Sequence, residues 1–150
     1  MTYLSEHFTL EECYASNVAL RKGINNKPPQ PYIPNIERLC QKVLEPIRNF
    51  YNIPFRPNSV YRSAELNREI GGSTESDHVQ GNAADIEIPT VSNYDLAIWI
   101  KNHLEFNQLI LECYTLGNPS SGWVHVSYCN KNKNEVLTFT KGQYIAGLNP

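Results

Sequence analysis

The sequence predicts an α+β fold, with helices packed on one face of a small antiparallel sheet. An apolar stripe at three- and four-residue steps runs from Ile36 to Phe50 and indicates a long core helix. Four short runs, ADIEI, LILEC, WVHVSY and VLTFT, alternate in the manner of half-buried strands. Segments rich in Gly, Pro, Asn and Ser separate them, which favours short elements over a repeat. A chain of 150 residues suits one domain. The expected layout is a single domain over 1–150, with an N-terminal helix and Pro-rich arm to about residue 34 and a core from about 35 onward.

Taken in order, Thr9 and Glu12 form a capping-box pair that opens a short helix at Leu10. KGINNKPPQPYIP follows as an extended arm, because each proline biases its predecessor away from helix. Tyr32 and Ile33 are expected to pin this arm to the body. Asn35 is placed as the cap of the long helix, whose inward residues are Ile36, Leu39, Cys40, Val43, Leu44, Ile47 and Phe50, with Pro46 kinking it or starting a new turn. FRPNSVYR reads as extended, and Ser63 caps a short helix that Gly71 and Gly72 end. After the loop STESDHVQGNA comes the strand ADIEI, then a Ser92-capped helix with Leu96, Trp99, Ile100 and Leu104 inward. LILEC and WVHVSY form a hairpin around GNPSSG, and VLTFT is the last predicted strand.

Composition narrows the function. With 41% hydrophobic and 19% charged residues the chain is an ordinary globular protein. A net charge of −2 without a basic block argues against nucleic acid. No apolar run has transmembrane length. MTYLSEHFTLEEC lacks a basic region followed by an apolar core, so no signal peptide is expected and synthesis is placed in the cytoplasm, with a monomer as the expected state. Cys13, Cys40, Cys113 and Cys129 are scattered without a CxxC pair, which excludes a zinc ribbon and suggests free thiols. A bond between Cys113 and Cys129 stays open, since both flank neighbouring strands.

One face of the predicted sheet has the chemistry of a metal site. Alternation puts Asp85 and Glu87 on one side of ADIEI, and Trp123, His125 and Ser127 on one side of WVHVSY. Ile110 and Glu112 share a side of LILEC. His78, Asp85 and His125 are therefore the candidate ligands of one Zn²⁺, three protein groups leaving a fourth position for water. A hairpin symmetric about Asn118–Pro119 would set Glu112 directly opposite His125, with Cβ atoms about 4.5–5.5 Å apart. Glu112 is then the first candidate for general base and Glu87 the second; Asp77, next to His78, is assigned to supporting that ligand or to capping the loop. His7 and His103 lack partners at ligand spacing and are placed on the surface. The close His-x-Asp pair of non-haem iron oxygenases is absent, as is HExxH.

SVYRSAELNREIGG, SDHVQGNAADIEI and GWVHVSY together resemble the zinc D-alanyl-D-alanine carboxypeptidases and their phage-type peptidoglycan L,D-endopeptidase relatives. The specific element is Ser76, His78, Gly81, Ala83 and Asp85, joined by Trp123 and His125. The resemblance implies a hedgehog/DD-peptidase-like fold, zinc on His78, Asp85 and His125, and cleavage of peptidoglycan stem peptides. It also implies Arg62 as a catalytic or carboxylate-binding group, and Ser76 and Trp123 as substrate contacts. Delivery by phage lysis or in a virion would suit such an enzyme. Several relatives carry an acidic residue three positions before the second histidine, where this chain has Gly122. That departure motivates an alternative of another class, a non-catalytic cell-wall-binding or virion module on the same fold.

Overall fold

The computed structural model describes residues 1–150. Its sheet has five strands, β1 (Ala83–Ile86), β2 (Gln108–Glu112), β3 (Trp123–Ser127), β4 (Glu135–Thr140) and β5 (Gln143–Ala146), in the order β1-β3-β2-β4-β5. The class is α+β as predicted, but the sheet is mixed rather than antiparallel, because β4 runs parallel to β2. The reason is the route of the chain. Antiparallel pairing ends β3 beside the start of β2, and the 128–134 connection passes that same end to reach the free side of β2. Asn134 fixes the landing: its N–H donates to Phe106 O (2.9 Å), its side chain accepts from Phe106 N, and its φ is +51°. The tail then turns back as β5, a strand absent from the sequence reading.

Helices cover the apolar face. The capping box of α1 (Leu10–Tyr14) is present, with Thr9 and Glu12 bonding reciprocally. Helix α2 (Asn17–Lys22) ends on Gly23 in the left-handed region. The arm that follows is held by Asn26, a buried side chain that donates to Tyr14 O and Tyr61 O and accepts from Ser63 N. Tyr32 and Ile33 also pack on the core.

The long helix begins earlier than expected. A 3₁₀ turn at Gln30–Tyr32 leads into α3 (Ile33–Leu39), with prolines in the first turn of each, where no N–H is needed. Asn35 is thus inside the helix, not its cap, and its amide instead donates to Gln80 O (3.0 Å). The predicted disturbance at Pro46 takes the form of a π-helical turn, Cys40–Leu44, before α4 (Glu45–Tyr51). Helix α5 (Ala64–Glu69) and α6 (Asn93–His103) carry the Ser63 and Ser92 caps. Leu39, Val43, Ile47, Leu96, Ile100, Leu109, Leu111, Val124 and Val126 are fully buried in one apolar cluster between helices and sheet. No helix is long and apolar enough to cross a membrane. All four cysteines are free; Cys113 and Cys129 leave opposite ends of the β2–β3 pair, so the possible bond between them does not form.

His7 has a partner that its sequence context hid. Its ring Nδ1 lies 2.9 Å from Glu45 Oε2, and its backbone N–H and the Ser5 hydroxyl both donate to Glu45 Oε1. Burial pushes the Glu45 carboxyl up, but these donors outweigh it and hold the group below its ordinary value. A carboxylate with a depressed folded-state pKa stabilises the fold above the unfolded value, and that stabilisation fades as pH falls through the folded value. Glu45→Gln should therefore lose about 1.5–3 kcal/mol at neutral pH. Urea unfolding at descending pH should show the gap from wild type closing in the acidic range.

Candidate metal centre

The site lies on the sheet face opposite the helices. Ser76 caps a 3₁₀ turn, Asp77–Gln80, by accepting from His78 N (3.3 Å), and Gly81 then turns the chain into β1. Gly81 has φ +75°, and a Cβ there would meet Ile36 Cγ1 at 2.5 Å, so both conformation and close packing require glycine. The extended segment before α5 runs alongside, with Ser59 bridging Asp85 and Arg62 N–H donating to His78 O (3.1 Å). Two backbone connections thus fix the loop histidine against the strand aspartate.

His78, Asp85 and His125 converge, with their candidate donor atoms within 4.8 Å of one another. His78 Nε2 and His125 Nδ1 lie 3.3 and 3.1 Å from Asp85 Oδ1. His78 is 2% exposed and its Nδ1 is 2.7 Å from Val60 O, an acceptor, so Nδ1 carries the proton. With that proton on Nδ1, Nε2 is left to face a carboxylate oxygen, and it has no hydrogen-bond partner. Two acceptors facing each other in a buried site are the arrangement a divalent cation relieves, and two imidazoles with one carboxylate suit zinc. Burial pushes the Asp85 carboxyl up, but hydrogen bonds and positive charge from the imidazoles, when the nitrogen facing Asp85 carries a proton, outweigh it and hold the carboxyl well below the ordinary range. The site favours a positive charge beside Asp85, whether proton or metal.

Arg62 is occupied around this centre. It donates to Asp85 Oδ2 (3.0 Å), Ser59 Oγ (3.1 Å) and Asn67 Oδ1 (3.4 Å), and so orients Asp85 from behind. Asn67 in turn donates to Ser73 O (2.7 Å). Neither Ser59 nor Asn67 carried a sequence signal, because a hydroxyl in an extended segment and an amide in a helix read the same whether buried or exposed.

The hairpin differs from the symmetric prediction. Ile110, not Glu112, lies opposite His125, and Glu112 pairs with Trp123. The loop tip is the Thr115–Asn118 turn, earlier than Asn118–Pro119, and a second turn at Asn118–Ser121 adds chain on the β3 side. The offset is two residues, so Glu112 keeps its face and becomes a diagonal neighbour of His125, a separation of about 7–8 Å. Trp123 Nε1 donates to Glu112 Oε2 (2.9 Å), so this indole orients the carboxylate as well as lining the cleft. Burial raises the Glu112 pKa, partly opposed by His125, Trp123 and Arg62. Ser76 and Asp77 also line the cleft of about 680 Å³. Glu87 does not: beyond the end of β1 it accepts from Asn58 (2.9 Å) and Asn93 (3.3 Å) and faces a separate depression. It is removed as a second candidate base.

Gly122 has a backbone reason for being glycine. Its φ is +66°, and a Cβ would lie 2.0 Å from Glu112 O. Gly122→Glu is therefore expected to destabilise the protein by more than the roughly 1–2 kcal/mol of left-handed strain alone. A lowered thermal midpoint without any gain in hydrolysis is the expected measurement.

A search of curated proteins finds no match. The family model for Peptidase M15 matches residues 6–127, most of the chain, and the match includes His78, Asp85, Glu112 and His125 but ends before β4. Zinc-dependent peptidases make up this family, in agreement with the donor set on the sheet. The chain belongs to the Peptidase M15 family, that of the zinc D-alanyl-D-alanine carboxypeptidases.

Proposed function

We propose that this peptidase hydrolyses amide bonds in the stem peptides of bacterial peptidoglycan on a hedgehog/DD-peptidase-like fold, with one zinc ion held by His78, Asp85 and His125. The observation that carries the reading is the unpartnered, buried Nε2 of His78 facing Asp85 and His125 beneath an open cleft. When bound, the metal supplies a Lewis acid for the scissile carbonyl and lowers the pKa of a water to about 7. Glu112 takes a proton from the attacking water and returns it to the leaving amine, the task of a buried carboxylate with a raised pKa. Trp123 keeps that carboxylate turned into the cleft. Arg62 holds Asp85 in place and adds positive charge where the tetrahedral oxyanion develops. Ser76 accepts from His78 N, and its own hydroxyl proton is free for a substrate carbonyl.

Gly122 no longer favours a non-catalytic module, since backbone geometry explains it and Glu112 supplies the carboxylate. The test is incubation of the purified protein with defined muropeptides, with zinc and with chelator, followed by mass spectrometry. New amine ends only in the zinc sample support the reading. Intact muropeptides in every zinc-replete sample would sink it.

A further inference from the structure

The cleft continues past the candidate catalytic groups onto strands that lie outside the family match. Pairing puts Glu112 beside Phe139 and Phe139 beside Tyr144, so Trp123, Glu112, Phe139 and Tyr144 form one row across β3, β2, β4 and β5 on the same face. The Phe139 and Tyr144 rings pack with centroids 4.6 Å apart. Tyr144 is 61% exposed and lines the same cleft as His78 and His125. Ile70, also exposed, stands in the lining at the end of α5. Tyr144 packs one side of its ring on Phe139 and leaves the rest open to the cleft, so with Phe139, Trp123 and Ile70 it forms a contiguous apolar lining rather than a lone exposed ring.

We propose that the β4–β5 ribbon is a substrate-binding platform that lengthens the cleft, with Phe139 and Tyr144 as specificity-determining residues for extended peptides. Strands are about 4.8 Å apart, so Tyr144 lies two strands, or about 10 Å, from Glu112. An extended peptide advances about 3.3–3.6 Å per residue, which gives the platform room for about three residues on one side of the scissile bond. The apolar side chains and methyl groups of that segment lie on the two rings. The cleft then favours a peptide of several residues over a free dipeptide. The identity of the ligand rests on the peptidase reading; the platform itself rests on the β4–β5 register and exposure.

The test uses stem-peptide fragments of two to five residues. Calorimetry measures binding to zinc-loaded protein carrying Glu112→Gln, with and without Tyr144→Thr, and hydrolysis is followed separately on wild type. Threonine favours strands, so β5 should persist; Tyr144→Trp provides a second variant that keeps a ring. Affinity should rise about tenfold from the shortest to the longest fragment, a gain that Tyr144→Thr removes and Tyr144→Trp retains. Equal length dependence with and without the ring, or none in the parent, overturns the platform. A length-dependent gain without hydrolysis by wild type supports the platform while removing the peptidase reading. Hydrolysis by wild type with an unchanged length dependence in Tyr144→Thr does the reverse.

Discussion

Asp85→Ala is expected to abolish zinc retention and peptide hydrolysis together, and to destabilise the metal-free protein by about 3–5 kcal/mol. Asp85 is the shared neighbour of the whole centre: Oδ1 lies near both imidazoles and Oδ2 accepts from Arg62. Its side chain is 13% exposed and that of Arg62 14%, so water replaces the lost contact only in part. Removing the carboxylate leaves a buried guanidinium with Ser59 and Asn67 as neutral partners and Glu112 as the remaining nearby charge. Elemental analysis after dialysis checks the first part, and urea unfolding of the chelated protein checks the second. Full zinc occupancy in Asp85→Ala would exclude this residue from the ligand set. Asp85→Asn should keep more of the stability, because an amide oxygen can still accept from Arg62.

Glu112→Gln should retain zinc and the fold while kcat falls about 10²–10⁴-fold, the usual contribution of a positioned acid–base group. Glutamine keeps an oxygen for Trp123 Nε1–H, so the hairpin face is preserved. What it loses is the ability to take a proton. In wild type, activity depends on the ionised form and falls as pH drops through the Glu112 pKa, which burial raises from the ordinary glutamate value. That acid limb should be missing from the residual activity of Glu112→Gln. Stopped assays across pH, with zinc content measured in parallel, separate this from metal loss. An unchanged kcat would take Glu112 out of the proton-transfer role.

The sequence by itself determined which side chains share a face. Alternation has a period of two within each strand, and the apolar side of each must face the helices, so Asp85, His125 and Glu112 were assignable to the opposite side without knowledge of the register. Local caps were equally legible: Thr9, Ser63 and Ser92 each bond within three residues of themselves. Asn35 failed because two prolines started the helix before it.

Everything that depended on distant chain meeting distant chain was decided by the tertiary structure. The strand register follows from where the 113–122 loop turns, and left-handed backbone at Cys113 and Gly122 sets that, so Glu112 faces Trp123 instead of His125. An offset of two residues preserves the face but changes the neighbour, so Glu112 stays on the side of His125 but no longer lies opposite it. The route past the start of β2 made the sheet mixed and carried Phe139 and Tyr144 into the cleft. The placement of Glu87 outside the cleft and the engagement of Arg62 by Asp85 likewise come from tertiary packing, since neither contact is local in sequence. Side-chain direction is a local property of a strand; which charges meet is a property of the packed whole.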